Sequence, residues 1–424
     1  MDVVDLATLA TFVLAYGLIS GHVERIAVLS APMVFVGFGL LVGSEGFGLL
    51  DAPINDKGVA LLAEATLGLL LFSDAVRIDV ARLQSEFGLP LRMLAIGLPV
   101  SIGLGTALAA AIFDVPWPIA ALIATILAPT DAALGQSVVT SKSIPARVRQ
   151  TLNVESGLND GIALPAVTVF IALALQDQDF STASSWIRFT GEQIGYGALV
   201  GIVAGTIGGL AIRTASQRSW MDGVFRQLSV LGLAALTFAA STAAGGNGFI
   251  SVFVAGLAFG STARDICPHV EEFTEDLAQL LAMMSFVIFG ALVAGPSLDQ
   301  LDWRIALYAA ASLAVVRPAA IALSLLGSKL RMPSVLFLGW FGPRGLASIL
   351  FGVLALDEAH ETDLGPMFVV MSWTVLASVV LHGITADPSV ARYAKWWSRH
   401  GAEEMAESLP MREQRHRRSR RHNT

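Results

Sequence analysis

One cysteine, Cys267, stands in a chain of 424 residues. A lone thiol excludes an internal disulfide and any metal site built from cysteines. Charge is nearly as scarce: Asp, Glu, Lys and Arg make up 14% of the sequence, where a soluble domain carries roughly 25%. The chain has no phosphate-binding glycine loop, no nucleophile elbow and no zinc-protease motif. An ATP-driven pump or a hydrolase is therefore not expected, nor is a cofactor. The N-terminus, Met1-Asp2-Val3-Val4-Asp5, lacks the basic stretch of a signal peptide, so the first apolar run reads as a retained helix. The net charge of −7 says little about partners, because the charges are segregated by loop. Nothing in the pattern points to nucleic acid.

What is abundant is apolar sequence. Hydrophobic residues make up 54% of the chain and the mean hydropathy is +0.66. A polytopic membrane protein follows, all-α because helices satisfy their own backbone in lipid. Thirteen apolar segments have spanning length: residues 4–20, 27–43, 58–75, 90–113, 117–138, 153–175, 191–213, 224–243, 247–262, 275–295, 304–326, 333–356 and 365–385. Alternate loops hold Arg25; Arg77, Arg82 and Arg92; Lys142, Arg147 and Arg149; Arg213, Arg218 and Arg226; Arg264; Lys329 and Arg331. The opposite loops are acidic, with only Lys57, Arg188 and Arg304. The positive-inside rule makes the first set cytoplasmic. This predicts an N-terminus outside, a C-terminus in the cytoplasm and a location in the cell (inner) membrane. Residues 1–386 read as the transmembrane domain and 387–424 as a cytoplasmic basic tail, polar and disordered from about Gly401. The basic end of the tail either touches anionic membrane lipid or is simply solvated.

Two segments carry matching interruptions. The fifth holds Leu127-Ala128-Pro129-Thr130-Asp131 and the twelfth Phe341-Gly342-Pro343-Arg344-Gly345. Proline removes a backbone donor and clashes with the preceding turn, so each helix is expected to break there. Paired interruptions in two halves point to a transporter with inverted repeats. The halves are roughly 1–175 and 224–386, joined by helix 191–213, with the two broken helices crossing.

The organising stretch is Asn153 to Pro165, which places Glu155 and Asp160 inside a span. Intramembrane acids are expensive and usually mark an ion path. On a helix Ser156 and Asp160 share one face, and Glu155 and Asn159 stack on the next. Gly157 and Gly161 invite close approach of another backbone. The other intramembrane charges are Asp74, Asp131, Arg317 and Arg344. At crossed half-helices Asp131 suits the positive ends and Arg344 the negative ends, as structural neutralisers or as a mutual pair. Glu155 needs a cation, and Arg317 is the first candidate with Arg344 its rival. Asp160 then lacks an obvious arginine: it is either half of a buried ion pair or, as expected first, the acid that alternates between a proton and a hard cation, for which oxygen ligands are suited. Ser156 and the Thr130 carbonyl are the further ligands, and Asn159 donates to Thr130. Asp74 either pairs with Arg77 three residues on or sits beside the cation site. His269 and His382 read as structural or surface residues.

Ala128-Pro129-Thr130-Asp131, Glu155 to Asp160, Arg317-Pro318 and Gly342-Pro343-Arg344-Gly345, in this order, resemble the monovalent cation:proton antiporters. The resemblance is to the prokaryotic electroneutral sodium/proton exchangers and extends to about residue 386. It implies the thirteen-helix sodium/proton antiporter fold, a homodimer, and a core built around the fifth, sixth, twelfth and thirteenth helices. It implies that Asp160 is the acid shared by H+ and the cation, with Na+ also held by Ser156 and Thr130, and Asp74 assisting. In that family an Asn-Asp pair, here Asn159-Asp160, marks electroneutral exchange. The expected activity is alternating-access exchange of Na+, also Li+, for H+. A potassium/proton antiporter is the alternative, and a cation channel or an organic-anion symporter are more distant ones.

Overall fold

The computed structural model describes residues 3–23, 29–50, 57–78, 88–131, 134–175, 183–359, 364–400 and 405–408. Among these the secondary structure is helical, and each of the thirteen apolar segments contains a helix. The first four are α1 (Val3–Val23), α2 (Ala31–Val42), α3 (Lys57–Arg77) and α4 (Gly88–Ile112). The fifth segment is split into α5 (Trp117–Ile126) and α6 (Gln136–Thr140). Then come α7 (Ala146–Ala174), α8 (Ala183–Gln217), α9 (Gly223–Ala243), α10 (Gly248–Thr262) and α11 (Cys267–Ile288). The eleventh span, α12 (Trp303–Ser324), is followed by the split pair α13 (Met332–Trp340) and α14 (Leu346–Glu358), and by α15 (Gly365–His400). Eight of the described helices are long and apolar enough to cross a membrane. The fold is that of an all-helical, multi-pass membrane protein.

Two sets of helices pack among themselves. In one, α10 lies between α3 and α8, α9 covers α8 and α10, and α11 packs on α2 and α3. In the other, α5 lies against α4 and α7, and α12 against α13 and α15. α14 reaches across to α3, and α7 touches both α3 and α10. The helix with the paired acids therefore runs between the two sets.

Prolines explain the irregularities. α4 and α12 each contain a π segment, Met93–Gly97 and Ser312–Val316. Each π segment is followed two residues later by a proline, Pro99 and Pro318. A proline frees a carbonyl one turn earlier, and a wider turn is one way for the helix to adapt. In the split segments the break is complete. α5 ends at Ile126 and Pro129 has no N–H with which to continue. α13 ends at Trp340, just before Gly342 and Pro343. The two unwound stretches meet backbone to backbone, with Asp131 N–H donating to the Pro343 carbonyl at 2.8 Å.

One expectation needs correction, at the paired glycines of α7, and the last helix is longer than its apolar segment. α15 continues past residue 385 through Pro388 to His400. The stretch after Ala386 is polar by composition, yet its aromatic side is anchored on α13. The Tyr393 ring lies 4.5 Å from that of Phe337, and its hydroxyl is 2.8 Å from Ser334 Oγ. At Gly161 the close neighbour is the ring of Phe253 on α10 rather than a backbone, and Gly157 has nothing within 4 Å of where a Cβ would sit. Arg25, Arg82 and the tail beyond Ser408 lie outside the described residues.

Candidate functional site

The site forms where α7 passes the two breaks. Glu155, Ser156, Asn159 and Asp160 all lie on α7 and are buried, as are Thr130, Arg317 and Arg344. Arg317 meets Glu155 fork to fork: Nη1 donates to Oε1 and Nη2 to Oε2, each at 3.1 Å. Two parallel charge-assisted bonds fix orientation as well as charge. Thr130 Oγ1 donates to Glu155 Oε2 at 3.2 Å. Glu155 thus has both oxygens occupied.

The proton inventory extends this. A hydroxyl has one hydrogen, and that of Thr130 goes to Glu155. Ser156 Oγ, 3.2 Å from Thr130 Oγ1, must then be the donor in that contact, which leaves its lone pairs unspent. Asn159 Nδ2 donates to Thr130 Oγ1 and, at 3.4 Å, to the Thr130 carbonyl. The carboxamide so fastens the unwound stretch to α7. Two buried oxygens here have no hydrogen-bond partner among the described residues, Asp160 Oδ1 and Asn159 Oδ1. The charges acting most strongly on Asp160 are those of Asp74, Asp131 and Glu155. Asp74 is half-buried on α3. Arg77 pairs with Glu275 in the third turn of α11.

The breaks exchange charge. Asp131 Oδ2 accepts from the Leu346 N–H at 2.9 Å, at the positive first turn of α14. Arg344 Nη1 donates to the carbonyls of Ala128 and Pro129, just beyond the negative end of α5. Opposite charges at helix termini are stabilising. The glycines of Gly342-Pro343-Arg344-Gly345 make room for this. A Cβ at Gly342 would collide with the Arg317 guanidinium, and one at Gly345 with the Asp131 carboxylate.

Three supporting residues escaped the sequence reading in this role. Ser348 Oγ donates to the Ile126 carbonyl at 2.8 Å, closing the end of α5. Ser378 Oγ on α15 accepts from the Arg344 N–H at 2.6 Å. His382 lies one turn on, with Nε2 2.9 Å from the Trp340 carbonyl at the end of α13. The only sequence signal was the i, i+4 spacing of Ser378 and His382. The side chain of His269 lies outside the described residues.

With this geometry in view, comparison with known proteins is decisive. The sequence model described as "Sodium/hydrogen exchanger, transmembrane" matches residues 9–392. The chain belongs to this family. The K(+)/H(+) antiporter NhaP2 of Shewanella baltica is 27% identical over 396 residues, covering 90% of this chain and 67% of that protein. The K(+)/H(+) antiporter NhaP of Alkalimonas amylolytica is 29% identical over 375 residues, covering 86% of this chain and 62% of that protein. The chain thus spans about two thirds of these relatives' length. Among solved structures, the sodium proton antiporter MjNhaP1 from Methanocaldococcus jannaschii superposes with a TM-score of 0.75 at 21% identity, covering 89% of this chain and 98% of that chain. That likeness carries the fold. Family and fold together make this a multi-pass membrane protein of the cation/proton antiporter type.

Proposed function

We propose that the protein exchanges one monovalent cation for one proton by alternating access, with Asp160 as the acid that both occupy. The observation that carries this reading is the contrast in bonding along α7. Glu155 has both oxygens in use, while Asp160 Oδ1 is buried without a hydrogen-bond partner among the described residues. Asp160 Oδ1, Ser156 Oγ, the Thr130 carbonyl and Asn159 Oδ1 offer an all-oxygen shell of the kind a hard cation takes. Asp74 acts on the same point from α3. The break supplies one further need, because unwound backbone at membrane depth is tolerated where it lines such a site.

Na+, with Li+, is the first substrate reading. K+ is the second, favoured by the curated relatives named K(+)/H(+) antiporters. Asn159 hydrogen-bonds but does not titrate, so the loaded forms carry equal charge and exchange is electroneutral. We read the chain as a homodimer in the cell membrane, with basic loops and C-terminus cytoplasmic, and halves 1–175 and 224–386 as inverted repeats. The paired breaks support the repeat, and the π segments ahead of Pro99 and Pro318 fall at matching places in it, while a third ahead of Pro296 has no counterpart in α3.

Purified protein in liposomes with an interior pH dye tests this. Addition of Na+, Li+ or K+ to acid-loaded vesicles should collapse the pH gradient for at least one of them. Competition for one acid should give a bell-shaped pH profile whose acid limb moves to lower pH as the cation rises. The rate should be the same at either polarity of an imposed voltage. Cation flux that persists without a counter-flow of protons would establish a channel instead.

A further inference from the structure

Past the end of α15 the chain returns to the protein. Residues Ala406–Ser408 form a short 3-10 turn against α7, and Glu407 in that turn is 1% exposed. Its Oε1 accepts from the Arg331 N–H at 2.8 Å and from Ser334 Oγ at 2.7 Å. Arg331 is the residue that opens α13, and it has no side-chain cap of its own. The first N–H groups of any helix lack intrahelical acceptors, and a carboxylate there is favoured by the helix dipole. Here that carboxylate arrives from 76 positions along the chain. The same turn holds α7, since Arg147 Nη1 in its first turn donates to the Ala406 carbonyl. The Arg147 charge also faces Glu407. Ser334 closes the group by its bond to Tyr393 on α15.

We propose that residues 405–408 form a clasp, with Glu407 as a positioning residue that fixes the start of α13 against the start of α7. Both helices reach the ion site. α7 carries Glu155 to Asp160. The far end of α13 leads into Gly342 and Arg344, whose guanidinium holds the Ala128 and Pro129 carbonyls beside Thr130. α13 is only nine residues long and packs chiefly on α12 rather than on α7, so its register against α7 depends on what grips its first turn. The clasp thereby sets the spacing of the oxygen shell from a point outside it. The inference rests on the reading of α7 as the ion-bearing helix.

The test compares full-length protein with Glu407→Ala and Glu407→Gln in the liposome assay. Backbone amide exchange at residues 331–336 is followed in the same samples. Glu407→Ala should raise the cation concentration for half-maximal exchange about tenfold, the size of one lost hydrogen bond to a charged group, with maximal rate within about twofold. Exchange at Arg331 should rise with it. Glu407→Gln keeps a carbonyl acceptor and should recover most of the affinity. Unchanged half-saturation and unchanged amide protection in Glu407→Ala would overturn the clasp, as would a Gln variant no better than Ala. Asp160→Asn run in parallel separates the two readings. If it still exchanges, the site assignment fails, while the amide protection at Arg331 reports on the clasp alone.

Discussion

Glu155 and Asp160 lie five residues apart on one buried helix, and their surroundings are opposite. Glu155 receives two bonds from Arg317 and one from Thr130. Asp160 sits among the charges of three other carboxylates and keeps Oδ1 without a hydrogen-bond partner among the described residues. A buried acid so fully bonded is a fixed structural charge, because taking away its partner strands the charge. A buried acid with an oxygen left over is one whose occupant can change. On the proposed reading, the same helix separates the two jobs an intramembrane carboxylate can do. The crossing of the breaks keeps them separate, since Asp131 and Arg344 are bonded to helix ends rather than spent on α7.

The sharpest way to break the contrast is Asp160→Asn. Exchange should fall to the level of protein-free liposomes, with the purified protein remaining monodisperse and melting near the parent. Substantial proton-coupled cation uptake by this variant would remove Asp160 from its role. Glu155→Ala and Arg317→Ala should instead act on stability, each costing ~3–5 kcal/mol because the partner is left as an uncompensated buried charge. The double variant should lose much less than the sum of the singles. Additive losses in denaturation would mean that the pair does not act as a unit. A smaller effect is expected at Gly342→Ala. The added methyl must displace the Arg317 guanidinium, and overpacking of this sort costs roughly 1–3 kcal/mol. Melting temperature should fall while the choice of cation is unchanged. A shift in cation preference would show that Arg317 also shapes the ion shell.

Much of the fold was legible because its signals are coarse and local. Spanning length, loop charge and two Pro-Gly interruptions mark thirteen segments and both breaks. The end of α15 was not legible, since Asp387, Arg392, Lys395 and Arg399 push hydropathy down while Tyr393 and Phe337 hold the helix in place. At the site, the sequence left Glu155 with two possible arginines, and the structure puts Arg317 on it. Counting charges could not show that the Arg344 guanidinium goes to backbone carbonyls, because carbonyls carry no residue identity. Nor could it reach Glu407, whose partners are an N–H and a hydroxyl more than seventy positions away.

The central claim is that one acid holds either a proton or a cation. Purified protein in weakly buffered detergent solution, at the pH of half-maximal exchange, tests it directly through the protons released on adding the transported cation. The account predicts release from the parent and from Asn159→Ala, saturating at no more than one proton per chain, and none from Asp160→Asn. Undiminished release from Asp160→Asn, or release of two protons per chain from the parent, would contradict it.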